Sequence, residues 1–435
     1  MIKIRPRIRD AVIQSLRAGV TPKLGLSFIQ VGRLKETQAL LDDIERIVDG
    51  GGAFRIIEAE YGAGKTFFMC VASAMAHQKQ LVVSLVDMSP DKRLYASNGQ
   101  ARALYSEIMA QLTTSMMPDG GALEFVITRF FERCESDNSE ISVDDGLAVL
   151  QAMPCGFEYA QVLKCFWRGH QSSDAELKSQ ALRWLRGEMV HKRDAFQWLK
   201  VRSVITDGNV FDHLKIFARF TALAGFGGLL IGLDEAVNMY KLPNSQARRA
   251  NYEQVLRYLN STLQGNAPHL GMIIAGTREL VHDEYKGFAS YEALRSRLSG
   301  NAYAKKMSII DLTSPVMALE NLSPEECFIL LQNLRHVFAS GDPSKYLISD
   351  KGIEQFLIHC HESIGASYFR TPRQTIRGFL DALVILDQNP EMDWQQLFKQ
   401  IEVTKESSDD GAYPTSENTE SDNDDGSDAL GAFQL

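Results

Sequence analysis

One short stretch limits what this chain can fold into: residues 54–66, Phe54-Arg55-Ile56-Ile57-Glu58-Ala59-Glu60-Tyr61-Gly62-Ala63-Gly64-Lys65-Thr66. Its largely apolar start predicts a buried strand, a glycine-spaced turn follows, and Phe67-Phe68-Met69-Cys70-Val71-Ala72 opens a helical pattern. Strand, glycine loop, Lys-Thr and helix in that order form the context in which a phosphate-binding loop works. Gly62 and Gly64 let backbone N–H groups close around phosphate oxygens, and the positive end of the helix dipole faces the anion. The expected ligand contacts are Tyr61, Gly62, Ala63, Gly64, Lys65, Thr66 and Phe67. Lys65 would reach the β- and γ-phosphates, and the Thr66 hydroxyl would ligate Mg2+. The full pattern G-x-x-x-x-G-K-[ST] is not met, because Ala59 stands where the first glycine belongs. A glycine turn capping an ordinary helix is therefore the competing reading of the loop alone.

A second stretch weighs against that reading. Gly228-Leu229-Leu230-Ile231-Gly232-Leu233-Asp234-Glu235 is an apolar strand ending in two carboxylates. Asp234 is the expected partner of Thr66 in holding the metal, directly or through water, and Glu235 would polarise the attacking water. Loop and acidic strand end together point to ATP or GTP binding. Asp87 ends another apolar run, residues 81–87, on the side where open α/β sheets place ligands; a plain polar strand end is the alternative there. Thr277 ends the run at 270–277 and could position the water or sense the γ-phosphate, or serve only as a turn residue. Arg295 and Arg297 are candidates for a charge supplied to a neighbouring subunit's nucleotide, or are surface arginines. Arg373, at the start of a late helix, could reach back to the γ-phosphate.

The strand–helix alternation predicts an α/β fold: a parallel sheet flanked by helices around the P-loop, with a helical insertion and a C-terminal helical domain. The expected division is an N-terminal helical segment over 1–22, a core over 23–113 and 206–313, an insertion over 114–205, a lid over 314–404 and a disordered acidic tail from 405. The run at 307–312 is a candidate last strand. Between Arg168 and Arg202 the insertion carries eight Lys/Arg (Arg168, Lys178, Arg183, Arg186, Lys192, Arg193, Lys200, Arg202) against four acids, a basic face that either contacts nucleic acid or is merely solvated. The net charge of −9 does not argue against such a partner. Nine acids and no base lie within 406–435, and the rest of the chain balances at 46 acidic and 46 basic residues. The tail's apolar tip, with Leu430, Phe433 and Leu435, could dock on a partner, or the tail could shield the basic face. Six scattered cysteines form no C-x-x-C pair, so zinc and redox motifs lack support. No apolar run is long enough to span a bilayer, and no signal core follows the basic start, which predicts a cytoplasmic protein without membrane contact.

With these residues in place the chain resembles AAA+ ATPases of the additional-strand kind, which implies a P-loop, RecA/AAA+-like core with a C-terminal helical lid. Val31-Gly32-Arg33 is similar to their adenine-side segment, 59–66 to Walker A with Ala59 as the departure, Asp234-Glu235 to Walker B, Thr277 to sensor 1 and Arg373 to sensor 2. More closely it resembles the ATP-binding proteins of BREX-type bacteriophage-exclusion systems, the BrxD group. That resemblance rests on Ile4-Arg5-Pro6-Arg7, Arg17-Ala18-Gly19-Val20-Thr21-Pro22, Ile29-Gln30-Val31-Gly32-Arg33, Glu60 to Thr66, Leu233-Asp234-Glu235 and Ala275-Gly276-Thr277-Arg278, and spans about residues 1–385. It implies a bacterial cytoplasmic phage-defence ATPase that works with a helicase-like partner protein and on DNA. A homo-oligomer is a separate expectation, in keeping with an arginine supplied to a neighbouring subunit's nucleotide. Two other readings share these motifs: a slow-turnover nucleotide-dependent signalling switch, and a loader of a helicase-like partner without DNA binding of its own.

Overall fold

The computed structural model describes residues 3–96, 98–136, 142–307, 311–364 and 372–400. Its centre is a five-stranded, all-parallel sheet: β1 (Ala53–Glu58), β2 (Val82–Asp87), β3 (Leu229–Asp234), β4 (Leu270–Gly276) and β5 (Val316–Ala318). The order across the sheet is β2-β3-β4-β1-β5. One strand, β4, thus separates the strand that feeds the glycine loop from the strand that ends in Asp234. Because all strands run one way, Glu58, Asp87, Asp234 and Gly276 finish on the same rim.

Helices cover both faces, and the strand period of two sorts the side chains between them. Ile56, Val82, Ile231 and Ile274 join a large cluster with the helices of the insertion. Ile57, Val83, Leu230 and Ala275 join a second cluster with the helices Leu34–Val48 and Lys65–Gln78. Such double burial explains why these strands read as unbroken apolar runs. Arg55 on β1 is one of the few buried polar residues on these strands: it donates to Asp43 at 2.8 and 2.6 Å, and also reaches the carbonyls of Leu312 (2.8 Å) and Ser314 (2.6 Å). It thereby ties the sheet to the helix Leu34–Val48 and to the approach to β5. Burial raises the pKa of Asp43, and the Arg55 charge opposes that rise.

The region 114–205 is helical where described, from Leu123–Glu135 to Lys192–Leu199. His213, on the helix Val210–Leu223, is seated among Tyr105, Tyr159 and Trp184 with ring centroids 6.4, 5.9 and 5.5 Å away. Burial pushes its pKa down to about 4, so it packs as a neutral ring. A third cluster gathers the C-terminal helices Pro324–Phe338, Asp350–Ile364 and Pro372–Gln388. Ile4, Val12 and Ile29 from the start of the chain belong to that same cluster, and Arg17 bonds Asp381 at 2.8 Å.

The last strand differs from expectation. Met307 ends the helix Ala302–Met307, residues 308–310 lie outside the described residues, and β5 begins only at Val316, beyond Pro315. A three-residue edge strand has too short a pattern to stand out, and it is β1 that selects it by pairing Ile56 with Val316 and Glu58 with Ala318. The acidic tail also lies outside the described residues.

Candidate nucleotide site

The loop after β1 turns through two left-handed glycines, Gly62 (φ +77°) and Gly64 (φ +90°). Gly64 is the N-cap of the helix Lys65–Gln78, and no side chain caps that end. The first-turn N–H groups of Lys65, Thr66 and Phe67 therefore lack acceptors within the helix, which is the arrangement that receives an anion. A Cβ on Gly64 would come no closer than 3.6 Å to Arg33, so backbone conformation rather than space calls for glycine there.

Lys65 bends back over the loop, its ammonium donating to the carbonyls of Ala59 (3.1 Å) and Glu60 (2.9 Å). Burial lowers its pKa, while Asp234, Glu235 and Glu279 pull it up. The Thr66 hydroxyl donates to Asp234 at 2.5 Å, and the other oxygen of Asp234 accepts the Glu235 N–H at 2.8 Å. Asp234 is buried at the strand end; Glu235 is exposed and holds a left-handed φ of +54°. A residue with a Cβ rarely adopts that conformation, at about 1–2 kcal/mol, and here it turns the carboxylate into the pocket wall. Burial of part of its surroundings raises the Glu235 pKa, the negative charge of Asp234 adds to the rise, and Lys65 opposes it. Asp87 pairs in register with Asp234 and has its pKa raised by burial first and by Asp234 second.

The hydroxyl and carboxylate oxygens at Thr66 and Asp234 are the hard donors Mg2+ takes when most of its ligands are waters and phosphate oxygens. Among the described residues no group of three or more His, Cys, Asp or Glu could enclose a metal alone.

The pocket above the loop is walled by three distant parts of the chain. Leu16, Val20, Ile29 and Val31 come from the N-terminal segment, residues 61–68 from the loop and its helix, and Leu322, Leu330 and Ile376 from the C-terminal helices. Apolar at one end and lined with N–H donors and Lys65 at the other, it suits a base attached to phosphates. Independently of this geometry, the family model for BREX system ATP-binding proteins BrxC/D matches residues 4–402. The chain belongs to that family. No curated protein matches it. The family is one of ATP-binding proteins. No helix among the described residues is long and apolar enough to cross a membrane.

The remaining expected site residues of this BrxC/D protein fall in different places. Val31, Gly32, Arg33 and Arg373 line the pocket. Arg33 holds a φ of +55°, donates to the Ala63 carbonyl at 2.6 Å and stands 5.9 Å over the Phe68 ring. Burial lowers its pKa; Glu36 and Glu326 act against that. Arg373, at the start of the helix Pro372–Gln388, lies against Gly19 and donates to the Tyr61 hydroxyl at 3.3 Å, so a C-terminal helix touches the loop directly. Thr277 does not line the pocket; its hydroxyl caps the short helix Arg278–His282 by accepting the Leu280 N–H at 3.4 Å. Arg295 and Arg297, on the helix Glu292–Leu298, are not brought to this pocket either. Arg297 is tied to Asn260 (2.7 Å) and the Ala293 carbonyl (3.0 Å), whereas the exposed side chain of Arg295 has no hydrogen-bond or ion-pair partner among the described residues. Sequence reasoning missed the apolar wall made by Leu16, Val20, Leu322, Leu330 and Ile376, because nothing local marks residues that meet only after the chain ends converge. It also missed the Arg278–Glu320 ion pair (3.1 Å), which joins the end of β4 to the segment leading to the C-terminal helices.

Proposed function

We propose that this chain hydrolyses ATP with Mg2+ in the cytoplasm and uses the turnover to remodel DNA or a helicase-like partner protein in phage exclusion. The observation that carries the reading is the Thr66–Asp234 contact of 2.5 Å, which joins the glycine loop to a carboxylate two strands away. In the loaded site Lys65 leaves the carbonyls of Ala59 and Glu60 for the β- and γ-phosphate oxygens, and the N–H groups of the loop and first helical turn surround the phosphates. Thr66 and Asp234 would hold Mg2+, which when bound would supply positive charge against the phosphate oxygens. Glu235 orients the attacking water and accepts its proton; its raised pKa keeps the carboxylate basic enough for that task. Val31, Gly32 and Arg33 form the base side. Arg373 brings the lid, 314–404, to bear on the phosphates, with the segment 1–22 riding on it and 114–205 acting as a working insertion. Arg295, exposed and unpaired among the described residues, is the better candidate than Arg297 for a charge given to the nucleotide of a second copy.

Steady-state ATP hydrolysis measured across protein concentration, with and without single- and double-stranded DNA, tests the reading. Lys65→Ala should lose nucleotide binding. Glu235→Gln should keep ATP binding and lose about 10²–10⁴-fold in turnover, the usual contribution of a general base. Hydrolysis by Glu235→Gln at the native rate would remove the proposed role, and slow native turnover insensitive to DNA and to protein concentration would favour a signalling switch instead.

A further inference from the structure

The eight cations between Arg168 and Arg202 do not share one face. Lys178 is half-buried, paired with Glu124 at 2.6 Å and set 5.7 Å over the Phe166 ring. Arg186 is half-buried, and Arg183 donates to Gln180 at 3.1 Å. The four that come last, Lys192, Arg193, Lys200 and Arg202, are exposed, and none forms an ion pair among the described residues.

These four gather around one ring. The helix Lys192–Leu199 attaches to the body through Ala195 and Leu199, two buried residues one turn apart. Phe196, about 100° around the helix from Ala195, is left 48% exposed at the edge of that stripe. Lys192 and Arg193 fall on the same flank by helical spacing, and Lys200 and Arg202 bring their charges to 5.8 and 5.9 Å from the ring centroid. Trp198, on the opposite flank, is 39% exposed. A single exposed apolar side chain is ordinary. A half-exposed aromatic ring among four cations outside any ion pair, only Lys200 of which is held by a neighbouring carbonyl (Gln197, 3.1 Å) among the described residues, is a different object, since it offers a stacking face and a means of neutralising a phosphate chain in one place.

We propose that this patch binds single-stranded nucleic acid, with a base stacked on Phe196 and the flanking phosphates on Lys192, Arg193, Lys200 and Arg202. The inference deepens the DNA reading of the function and rests on it only for its biological role. A duplex keeps its base faces covered by their neighbours, so a ring standing on a convex helix gains nothing from it beyond charge. An acidic peptide would use the cations equally but has no base to lay on the ring.

The test is fluorescence anisotropy of the full chain with a labelled oligothymidine and with a duplex of the same length. It is done in the Lys65→Ala background, so that its result does not depend on nucleotide turnover. Single strand should bind more tightly than duplex. Phe196→Ala should weaken the single-strand complex by about ten- to a hundredfold, the range for loss of one base–aromatic stack. The same change at Phe157, an exposed ring 67% accessible outside the patch, should leave binding as it was. Lys200→Glu with Arg202→Glu should flatten the salt dependence, lowering the slope of log affinity on log salt by about 1.4. Circular dichroism equal to that of the parent shows that the surface variants fold. Equal affinity for duplex, unchanged binding by Phe196→Ala, or displacement of the strand by polyglutamate with the same potency in parent and Phe196→Ala protein would each overturn the proposal.

Discussion

Replacing Gly32 with alanine should loosen the C-terminal helices from the nucleotide pocket. Gly32 has a φ of +68°, and a Cβ built on it runs into the Glu326 carboxyl group, whose carbon would lie 2.7 Å away. Glu326 is not free to swing aside. Its carboxylate accepts the Ser323 N–H at 2.9 Å, its own N–H donates to the Ser323 hydroxyl at 3.2 Å, and together these close the capping box that starts the helix Pro324–Phe338. A left-handed residue with a Cβ costs about 1–2 kcal/mol, and loss of a cap adds about 0.5–2 kcal/mol. The combined effect, about 1.5–4 kcal/mol, corresponds to roughly a ten- to several-hundredfold rise in local opening. Hydrogen exchange at residues 323–331 should report that rise, and ATP affinity should fall with it because Val31, Gly32, Leu322 and Leu330 share the pocket wall. The double variant Gly32→Ala with Glu326→Ala removes the collision but keeps the backbone strain, so the two single effects should exceed the double by more than the ~0.5 kcal/mol within which independent sites add. Additive effects, or native exchange in Gly32→Ala, would refute the reasoning.

Three further outcomes are expected. Asp43→Ala strands the buried Arg55 guanidinium beside two carbonyls and should destabilise the protein by about 3–5 kcal/mol in chemical denaturation, whereas Arg55→Met with Asp43→Leu should cost far less. Glu235 holds its proton more tightly in the folded than in the unfolded chain, so between its ordinary value of 4.5 and its raised one stability falls as pH rises. Glu235→Gln should therefore raise the Tm of the nucleotide-free protein slightly at pH 7, and the gain should vanish on acidification below 4.5; a gain that grows on acidification contradicts this. Arg373→Ala, which removes the contact with Tyr61, should weaken ATP binding or turnover by about tenfold or more, in the range of one lost charge-assisted contact. Unchanged affinity and turnover would detach the C-terminal helices from the site.

Much of the candidate site's local geometry was legible because its parts are local. G-x-G-K-T needs left-handed backbone at Gly62 and Gly64 and a helix behind it, and five or six residues carry that requirement. Strands β1 to β4 were legible because burial on both faces writes an unbroken apolar run. The fifth strand was not, since the run at 307–312 has the better local pattern while pairing with β1 chose Val316–Ala318. The basic stretch 168–202 was legible as charge but not as surface: only packing separates half-buried Lys178 from exposed Arg202.

The amino-acid order by itself settled the parallel α/β class, the glycine-spaced turn ahead of the helix that opens with Lys65 and Thr66, and the acidic strand end at Asp234, because each depends on the conformational and periodic needs of a few neighbouring residues. Only the tertiary structure decided that β4 would separate the two motif strands, that Thr66 would nevertheless meet Asp234, and that the first helix would lie on the last ones, with Arg17 bonded to Asp381 364 positions away. Those arrangements arise from which apolar faces find each other when the chain closes, a choice made among distant surfaces that no local pattern encodes.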